Sequence, residues 1–427
     1  MLVPMSEEQH GPHARVAWYM VFVLALTVML ANLDQRVISL LIQPIKTDLH
    51  LSDTGVSLLI GPAFALFYTL IGIPLARFVD RSSRKHILAA GLAVWSLATA
   101  CCGLARSFTQ LFVARVLVGA GEAVNGPATF SMIADAFPRE RLPRAIAAMQ
   151  LGVTAGSGLA LLVGGLVVGA LVGHPWQWVF IAVGLPGLAV AVLILTTLRE
   201  PLRRAPAASA SAVQLSEVLR YLIGRWRVFV PMLLGLTFGA ISLGAANWMP
   251  EVFRRSYGWS TSHTAMVTGV TELIAQTLGL YVGVRWVERY DRQHRPEAPL
   301  RVAVIARAIA LPAAIAWPLM PDPAWAVALF AVGGFTLGMG GASQNAALQI
   351  ITPGRMRGQV TAIYLFLFNV VGYGLGPLVA ALLTDYGFQA EGQLRYALAS
   401  LAAIVGPLGL AFIALGVRPY VRELARL

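Results

Sequence analysis

The chain has 427 residues, of which 57% are hydrophobic and 12% charged, and its mean hydropathy is +0.71. Soluble domains carry about 25% charged residues, so this composition excludes an ordinary soluble domain and indicates a polytopic membrane protein. The formal net charge of +12 does not indicate nucleic-acid binding, because the basic residues lie in short loops between apolar runs and form no basic patch interleaved with aromatic residues.

Twelve apolar segments are each long enough to cross a bilayer as a helix. In the first half of the chain they lie near residues 16–42, 54–78, 86–105, 108–136, 144–172 and 177–198. In the second half they lie near residues 228–250, 262–287, 301–320, 324–350, 358–385 and 394–417. The sequence therefore predicts an all-α membrane protein whose transmembrane helices form two pseudo-symmetric six-helix bundles, residues 16–198 and 228–417. A cytoplasmic N-terminal tail, a linker rich in Ala, Pro and Ser, and a C-terminal tail are predicted at residues 1–15, 199–227 and 418–427.

Charge and glycine patterns predict the topology. Most of the 32 lysine and arginine residues fall in alternate loops, and the positive-inside rule then puts both termini in the cytoplasm. None of the five asparagines lies in a glycosylation sequon, which fits a bacterial inner membrane. The fifth helix of each half carries closely spaced glycines, namely Gly152, Gly156 and Gly158, and Gly372, Gly374 and Gly376. Two similar halves predict an internal repeat with a cavity between them.

Six ionisable residues lie well inside predicted spans, away from the span ends, and their formal charges sum to zero: Asp34, Glu122, Glu272, Arg36, Arg115 and Arg307. An unpaired charge near the centre of a membrane helix costs roughly 2.5–3.5 kcal/mol. We therefore expect these side chains to pair with one another or to face a water-filled cavity. Arg307 is expected to lie close enough to the cytoplasmic interface to snorkel, and it is left out of the predicted site.

The fourth span carries a polar line. Arg115, Glu122 and Thr129 are seven residues apart, so they fall on nearly the same face of a helix, with Asn125 beside them. This predicts a polar wall at membrane depth. The alternative is structural, with Arg115 capping a neighbouring helix and Glu122 pairing with it for packing.

The chemistry of these residue types divides their roles. Arginine keeps its proton in a protein, and its planar fork suits a phosphate or a carboxylate, so Arg36 and Arg115 are predicted substrate ligands. Asp34 and Glu122 can bind and release protons, so they are the predicted proton-coupling residues. The further candidates for substrate contact, each equally a candidate for an ordinary interhelical hydrogen bond, are Asn125, Thr129, Asn247, Glu272, Gln276, Gln344, Asn345, Asn369 and Tyr373.

The segment "ARFVDRSSRKH", residues 76–86, follows the second span. It resembles the signature loop of the major facilitator superfamily, although Ala76 and Ser83 replace the two glycines of that pattern. The resemblance implies a cytoplasmic gate formed by Asp80, Arg81, Arg84 and Lys85. The corresponding loop of the second half, "VRWVERYDRQHR", lacks the equivalent acidic residue.

Further motifs narrow the resemblance to one family. "LDQRVISLLIQPIKTDLHLSDT", "GEA", "DAFPRER", "GVTAGSGLALLVGG", "ANWMP" and "RGQVTAIYLFLFNVVGYGLGP" resemble the spinster family over most of the chain. This resemblance implies a secondary active transporter that works by alternating access, is coupled to protons and moves an amphipathic anionic lipid such as a lysophospholipid or a sphingoid phosphate. In that family the first span usually has adjacent Asp and Arg, whereas here Gln35 intervenes and Arg36 is rotated by about 100°.

Two other transport functions stay open: a proton-coupled symporter of small organic anions such as sugar acids, and an exporter of drugs or lipophiles. An enzyme is not expected, because the seven histidines form no catalytic or metal-binding spacing. The expected partners are an amphipathic anion or lysolipid, protons and the bilayer. No cofactor, metal or nucleic acid is expected, and the chain is predicted to be a monomer.

Overall fold

The computed structural model describes residues 12–138, 141–202, 215–293, 295, 297–353 and 356–426, and in these ranges the chain forms helices joined by short turns, with no strand. The helices of the first half are α1 (Pro12–Leu40), α2 (Ile42–Asp48), α3 (Asp53–Ile60), α4 (Pro62–Arg81), α5 (Arg84–Cys102), α6 (Phe108–Glu122), α7 (Asn125–Ala136), α8 (Leu142–Ala170) and α9 (Gln177–Thr197). Serine side chains cap several helices, as at Ser52 and Ser107, whose hydroxyl oxygens accept bonds from backbone N–H groups in the first turn.

The second half begins with a short helix, α10 (Leu215–Gly224). It continues with α11 (Trp226–Ala245), α12 (Met249–Tyr257), α13 (Thr261–Asp291), α14 (Ala298–Ala316), α15 (Pro323–Ile350), α16 (Arg357–Phe366), α17 (Leu375–Leu382) and α18 (Leu394–Leu424). A π-helical stretch, Leu367–Gly374, joins α16 to α17, and a second one, Leu383–Phe388, follows α17. Stretches of π-helix are frequent at functional sites.

These helices confirm the predicted fold of two six-helix halves. Ten helices of the described residues are long and apolar enough to cross a membrane. The other two predicted spans are the fourth, which breaks between Glu122 and Asn125, and the fifth, which is α8 and has a shorter apolar stretch at Gly156–Ala170. Large apolar side chains such as Phe22 and Val172 are exposed on the outside of the bundle, as expected for a surface that faces lipid.

The halves meet along two symmetry-related seams. The fifth helix of each half packs against the second span of the other half, so α8 contacts α13, and the α16–α17 segment contacts α3 and α4. Along the first seam the backbones touch: a Cβ on Gly158 would lie 2.7 Å from the carbonyl oxygen of Gly269. The predicted glycine-rich fifth helices therefore lie at the interface between the halves.

The helix bundle has two ends. The terminal end is the one where α1 begins and α18 finishes, and it includes the turn between α4 and α5. The distal end is the opposite one, and it includes α2, α12 and the residues that follow α17. At the terminal end α18 continues to Leu424, past the predicted limit of its span, because Glu423 is buried and binds Arg225 Nε at 2.5 Å.

Candidate functional site

A cavity of about 400 Å³ lies mainly among helices of the second half, and α1 contributes one side chain to it. Its polar lining consists of Arg36, Glu272, Gln276, Arg307 and Gln344, together with small hydroxyl-bearing residues and Tyr364. Its apolar lining includes Leu311, Ala314, Trp317, Leu329, Phe330, Leu337 and Phe368. The cavity is therefore amphipathic, with two arginines and a wall of aliphatic and aromatic side chains.

An ion pair links the two halves at this cavity. Arg36 Nη2 lies 3.2 Å from Glu272 Oε1, and the same nitrogen donates to Ser157 Oγ at 2.9 Å. Ser157 donates to Glu272 Oε1 at 2.8 Å, and Gln276 Nε2 does so at 2.6 Å. Glu272 is 4% exposed. Three donors thus converge on one carboxylate oxygen, so Arg36 is a neutralised cation in this conformation.

A second cavity of about 180 Å³ lies within the first half, lined by Gln35, Glu122, Asn125 and Thr129 among others. Gln35 Nε2 donates to Glu122 Oε2 at 2.7 Å. The other oxygen, Glu122 Oε1, is buried, and within the described residues it has no hydrogen-bond partner. Asn125 Oδ1 accepts from Thr129 Oγ1 at 3.2 Å. A buried carboxyl group with one open oxygen beside a polar cavity is suited to take up a proton there.

Arg115 and Asp34 lie apart from both cavities. Arg115 is 1% exposed, and its Nε and Nη1 donate at 3.4 Å to the carbonyl oxygens of Leu59 and Asp34. Its guanidinium also lies over the ring of Phe64, 5.4 Å from the centroid. Asp34 is 3% exposed. Neither side chain lines either of these two cavities.

The predicted polar line of the fourth span is interrupted in the structure. Glu122 and Thr129 line the same cavity on either side of the helix break, whereas Arg115, seven residues before Glu122 in α6, does not line it. The partner of Glu122 is Gln35 rather than Arg115. Only the part of the predicted line from Glu122 to Thr129 is therefore a cavity wall.

Arg307 is a residue that the sequence reasoning set aside. The expectation that it snorkels to the interface is not met, because it lines the larger cavity and its Nη2 donates to Gln344 Oε1 at 3.3 Å. Its position near the middle of α14, with nine residues on either side, was the available signal.

The remaining polar candidates of the second half are spread over several helices. Asn247 Nδ2 donates to the carbonyl oxygen of Gly244 at 2.8 Å, and Tyr373 donates to Asn247 Oδ1 at 3.4 Å. Asn369 and Tyr373 lie in the first π-helical stretch. The side chain of Asn345 lies outside the described residues.

The predicted cytoplasmic gate is described only in part, because the side chains of Asp80 and Arg81 lie outside the described residues. Arg84 is 1% exposed and pairs with Asp135 at the end of α7. Its Nε also lies 3.3 Å from Glu200, and its Nη2 donates to the carbonyl oxygen of Pro201 at 2.8 Å. Lys85 is half-buried beside it. Arg84 therefore joins three segments of the first half at the terminal end.

A charged network at the distal end, which we call the distal network, escaped the sequence reasoning. Asp53 is fully buried and lies 2.5 Å from Lys46 Nζ and 2.7 Å from Arg255 Nη1. Lys46 Nζ also lies 2.8 Å from Glu391 Oε1. Arg255 Nε lies 2.6 Å from Glu251 Oε1. Lys46 and Asp53 belong to the first half and the other three residues to the second.

Two more contacts extend this network across the halves. Arg254 Nη2 donates to Gln43 Oε1 at 2.9 Å, and both the backbone N–H and the hydroxyl of Thr54 donate to Asp385 Oδ2 at 2.7 Å. The halves are thus held together at the distal end by ion pairs and hydrogen bonds that contain buried charges.

Comparisons with known proteins agree with this architecture. Residues 24–377 match the sequence model of the Major Facilitator Superfamily. A protein of Mycolicibacterium smegmatis described as an MFS-type efflux pump is 30% identical over 414 residues, which cover 93% of this chain and 92% of that protein. Protein spinster homolog 1 of Mus musculus is 27% identical over 420 residues, covering 91% of this chain and 78% of that protein.

A solved structure is also similar over nearly the full length. It is the crystal structure of a bacterial homologue of the human lysosomal transporter Spinster in an inward-facing and unoccupied conformation. It aligns with a TM-score of 0.81 at 25% identity, covering 96% of this chain and 98% of that one. The predicted resemblance to the spinster family is therefore confirmed.

Proposed function

This chain belongs to the Major Facilitator Superfamily of membrane transporters, and we propose that it moves an amphipathic anionic lipid-like molecule by alternating access. The substrate class is a single-chain lipid with an anionic headgroup, such as a lysophospholipid or a sphingoid phosphate. The observation that carries this proposal is the cavity of about 400 Å³ that combines two arginines with an aliphatic and aromatic wall. A sugar acid needs hydrogen-bond donors and acceptors around most of its surface, and this wall offers few.

The proposed driving force is a proton gradient, with Asp34 and Glu122 as the carriers. Both side chains are buried, and Glu122 lines a cavity with one oxygen that lacks a partner in the described residues. A buried carboxyl group at membrane depth has a functional role by default. Its uptake of a proton removes a charge from the first half and thereby changes the relative stability of the two conformations.

We propose that the terminal end is cytoplasmic and that this conformation is inward-facing. The basic loops predicted to be cytoplasmic lie at that end, while the distal network closes the other end. The similarity to a solved spinster homologue in an inward-facing conformation supports the same orientation. The membrane in question is then the bacterial inner membrane.

A second candidate function is the export of drugs or other lipophiles. It is favoured by the similarity to the mycobacterial MFS-type efflux pump, which extends over 93% of this chain. An aromatic, largely apolar cavity wall suits such compounds as well. The two candidates differ in the charge that the substrate must carry, because the arginines of the cavity favour an anion over a lipophilic cation.

Transport in proteoliposomes tests these alternatives. Fluorescent lysophosphatidylglycerol that crosses the bilayer can be measured by extraction with albumin, with and without an imposed pH gradient, beside ethidium and glucuronate as competing substrate classes. We expect gradient-dependent movement of the lysolipid and no movement of the other two compounds, with protein-free liposomes as the control. Movement of ethidium alone would establish the exporter, and movement of glucuronate alone the sugar-acid symporter.

A further inference from the structure

We propose that Arg307, in the bundle of the second half, binds the anionic group of the substrate. This inference rests on the proposed function, because it assumes an amphipathic anion in the larger cavity. It assigns to α14 a role that the sequence motifs give to Arg36 and Arg115.

The three arginines at membrane depth differ in whether an acidic side chain neutralises them. Arg36 is already paired with Glu272 at 3.2 Å. Arg115 donates to backbone carbonyl oxygens and lines neither cavity among the described residues. Arg307 lines the larger cavity, and no acidic side chain lies within 4 Å of it in the part of the chain that the structure describes. It is thus the cavity cation whose charge awaits a counter-ion.

The guanidinium of Arg307 lies in a slot formed by two glycines. A Cβ atom on Gly239 of α11 would lie 1.9 Å from Arg307 Nη1 and 2.4 Å from its Cζ, so the guanidinium rests against bare backbone. A Cβ on Gly409 of α18 would lie 3.3 Å from the same Nη1. Two glycines on two helices therefore make the space that the guanidinium occupies, and any side chain at Gly239 would displace it.

The guanidinium of Arg307 has hydrogen-bond donors that are not used in this conformation. Nη2 donates to Gln344 Oε1 at 3.3 Å, which holds the plane of the guanidinium. Nε is buried, and among the described residues it has no acceptor. A guanidinium that is oriented by one neighbour and lacks acceptors for its other donors is suited to a phosphate or carboxylate, which accepts two parallel bonds.

An apolar part of the cavity wall starts at Arg307 and continues toward the distal end. Trp317, just past the distal end of α14, lies ten positions after Arg307, which corresponds to about 15 Å along a helix. Leu311 and Ala314 lie between them and line the cavity, and Leu329 and Phe330 of α15 line it as well. A single alkyl chain attached to an anion on Arg307 can therefore extend toward Trp317 within apolar surroundings.

Binding to the full chain in phosphatidylcholine nanodiscs tests the proposal. The probes are dodecyl phosphate, dodecanoate and the uncharged 1-dodecylglycerol, and the readout is the shift in unfolding temperature as each is titrated, with empty nanodiscs as the partitioning control. For wild type we expect both anions to bind more tightly than dodecylglycerol. The comparison of phosphate with carboxylate shows which anion the site prefers.

The variants separate this inference from the proposed function. Arg307→Gln should weaken dodecyl phosphate binding at least tenfold and leave dodecylglycerol binding unchanged, and Gly239→Ala, which keeps the arginine but fills its slot, should do the same. Arg285→Gln, which removes an exposed arginine that lies 3.6 Å from Glu288, is the control for the loss of one positive charge and should bind like wild type.

One outcome would contradict the role of Arg307, and another would contradict the proposed function. Unchanged anion binding in a folded Arg307→Gln would overturn the role of Arg307 while the proposed function stands, and loss of anion binding in Arg115→Gln would then assign the anion to Arg115. A wild type that binds dodecylglycerol as tightly as the anions would instead remove the proposed function. Unfolding temperatures measured without probe show whether each variant folds, and Gly239→Ala supplies the decision if Arg307→Gln does not.

Discussion

Gln35 and Arg36 are neighbours in the chain, yet they serve different halves of the molecule. Successive residues of a helix point about 100° apart, so Gln35 reaches Glu122 in the first half and Arg36 reaches Glu272 in the second. The spinster pattern has an arginine at the position of Gln35. In this chain the carboxyl group of Glu122 is therefore bonded to a neutral amide, and the arginine next to it supports the contact between the halves.

Glu122→Gln tests the proton-coupling role at this residue. The amide keeps the size of the side chain and can still bond to Gln35, so the variant should fold and bind substrate. Because it cannot carry a proton, transport driven by a pH gradient should fall at least tenfold, while exchange of labelled for unlabelled substrate, which needs no net proton movement, should persist. Gradient-driven uptake and counterflow in proteoliposomes measure the two activities.

A purely structural Glu122 predicts another pattern. Both activities would then fall together, and the unfolding temperature would fall with them. Asp34→Asn, assayed in parallel, identifies the carrier if Glu122→Gln keeps the pH dependence of wild type.

At the scale of helices, the cluster around Arg84 joins the start of α5 to the segment that follows α9. Glu200 accepts a bond from the backbone N–H of Arg84 at 2.8 Å, and the hydroxyl of Ser83 donates to its other oxygen. Burial raises the pKa of Glu200, but these hydrogen bonds and the Arg84 guanidinium outweigh burial, and the net pKa is below its ordinary value of 4.5. The ionised carboxylate therefore stabilises the folded state.

The sign of this effect gives a pH-dependent prediction. A group whose pKa is depressed on folding contributes stability above its unfolded pKa, and that contribution is lost as the pH falls through the folded pKa. Glu200→Gln should therefore unfold at a lower temperature than wild type at neutral pH, and the difference should shrink as the pH falls below about 4.5. Unfolding temperatures of both proteins over a pH series measure this. A constant difference at every pH would show that the charge of Glu200 is not involved.

The helices were the most predictable elements because length and hydropathy are local properties. The predicted spans match the observed helices to within a few residues in most cases, for example 177–198 against Gln177–Thr197. The break in the fourth span was not predicted, since an uninterrupted pattern of Arg115, Glu122 and Thr129 suggested one straight helix. Composition also gave no sign that α10 lies within the linker.

The sequence identified some of the residues that line the two cavities, and it did not show which of them pair. Charges inside spans are costly, so their presence alone identified Arg36, Glu122 and Glu272 as candidates. Which of them meet depends on how the halves pack: Arg36 and Glu272 are 236 positions apart, and Asp53 and Arg255 are 202 positions apart. No local pattern carries that information.

At the scale of the whole molecule, the distal network decides how tightly this conformation is held. Asp53 is fully buried and accepts from cations of both halves, Lys46 and Arg255. Removing one partner of a buried ion pair costs about 3–5 kcal/mol, because the remaining charges stay buried without compensation. In the proposed alternating-access cycle, these contacts must break before the distal end can open.

Asp53→Asn should therefore shift the population toward a distal-open conformation. The change removes the charge that Lys46 and Arg255 share, although Lys46 keeps Glu391 and Arg255 keeps Glu251 as partners. The loss should therefore be smaller than the about 3–5 kcal/mol of a charge left unpaired, and still enough to move a two-state equilibrium by about tenfold or more. Spin labels are placed on distal residues of the two halves, and pulsed electron paramagnetic resonance measures the distance between the labels. This distance should be longer in the variant than in wild type. Asp48→Asn, which removes an acidic group that binds Trp176 Nε1 and Gln177 within the first half, is the matched control.

An unchanged distribution of distal distances in Asp53→Asn would mean that the apolar and glycine contacts hold the halves together by themselves. A longer distance in the Asp48→Asn control would indicate general loosening of the distal end rather than release of the network.

The glycine seam between α8 and α13 has a mechanical consequence. Interdigitated side chains resist the rotation of one helix against another, because each must change its packing before the helices can turn. At Gly158 and Gly269 the two backbones meet directly, with Leu273 and Leu162 flanking the contact, so no side chain of these two residues has to be repacked when the helices move. In the proposed alternating-access cycle, the ion pairs would then determine which conformation is favoured, and the close backbone contact would hold the two halves together.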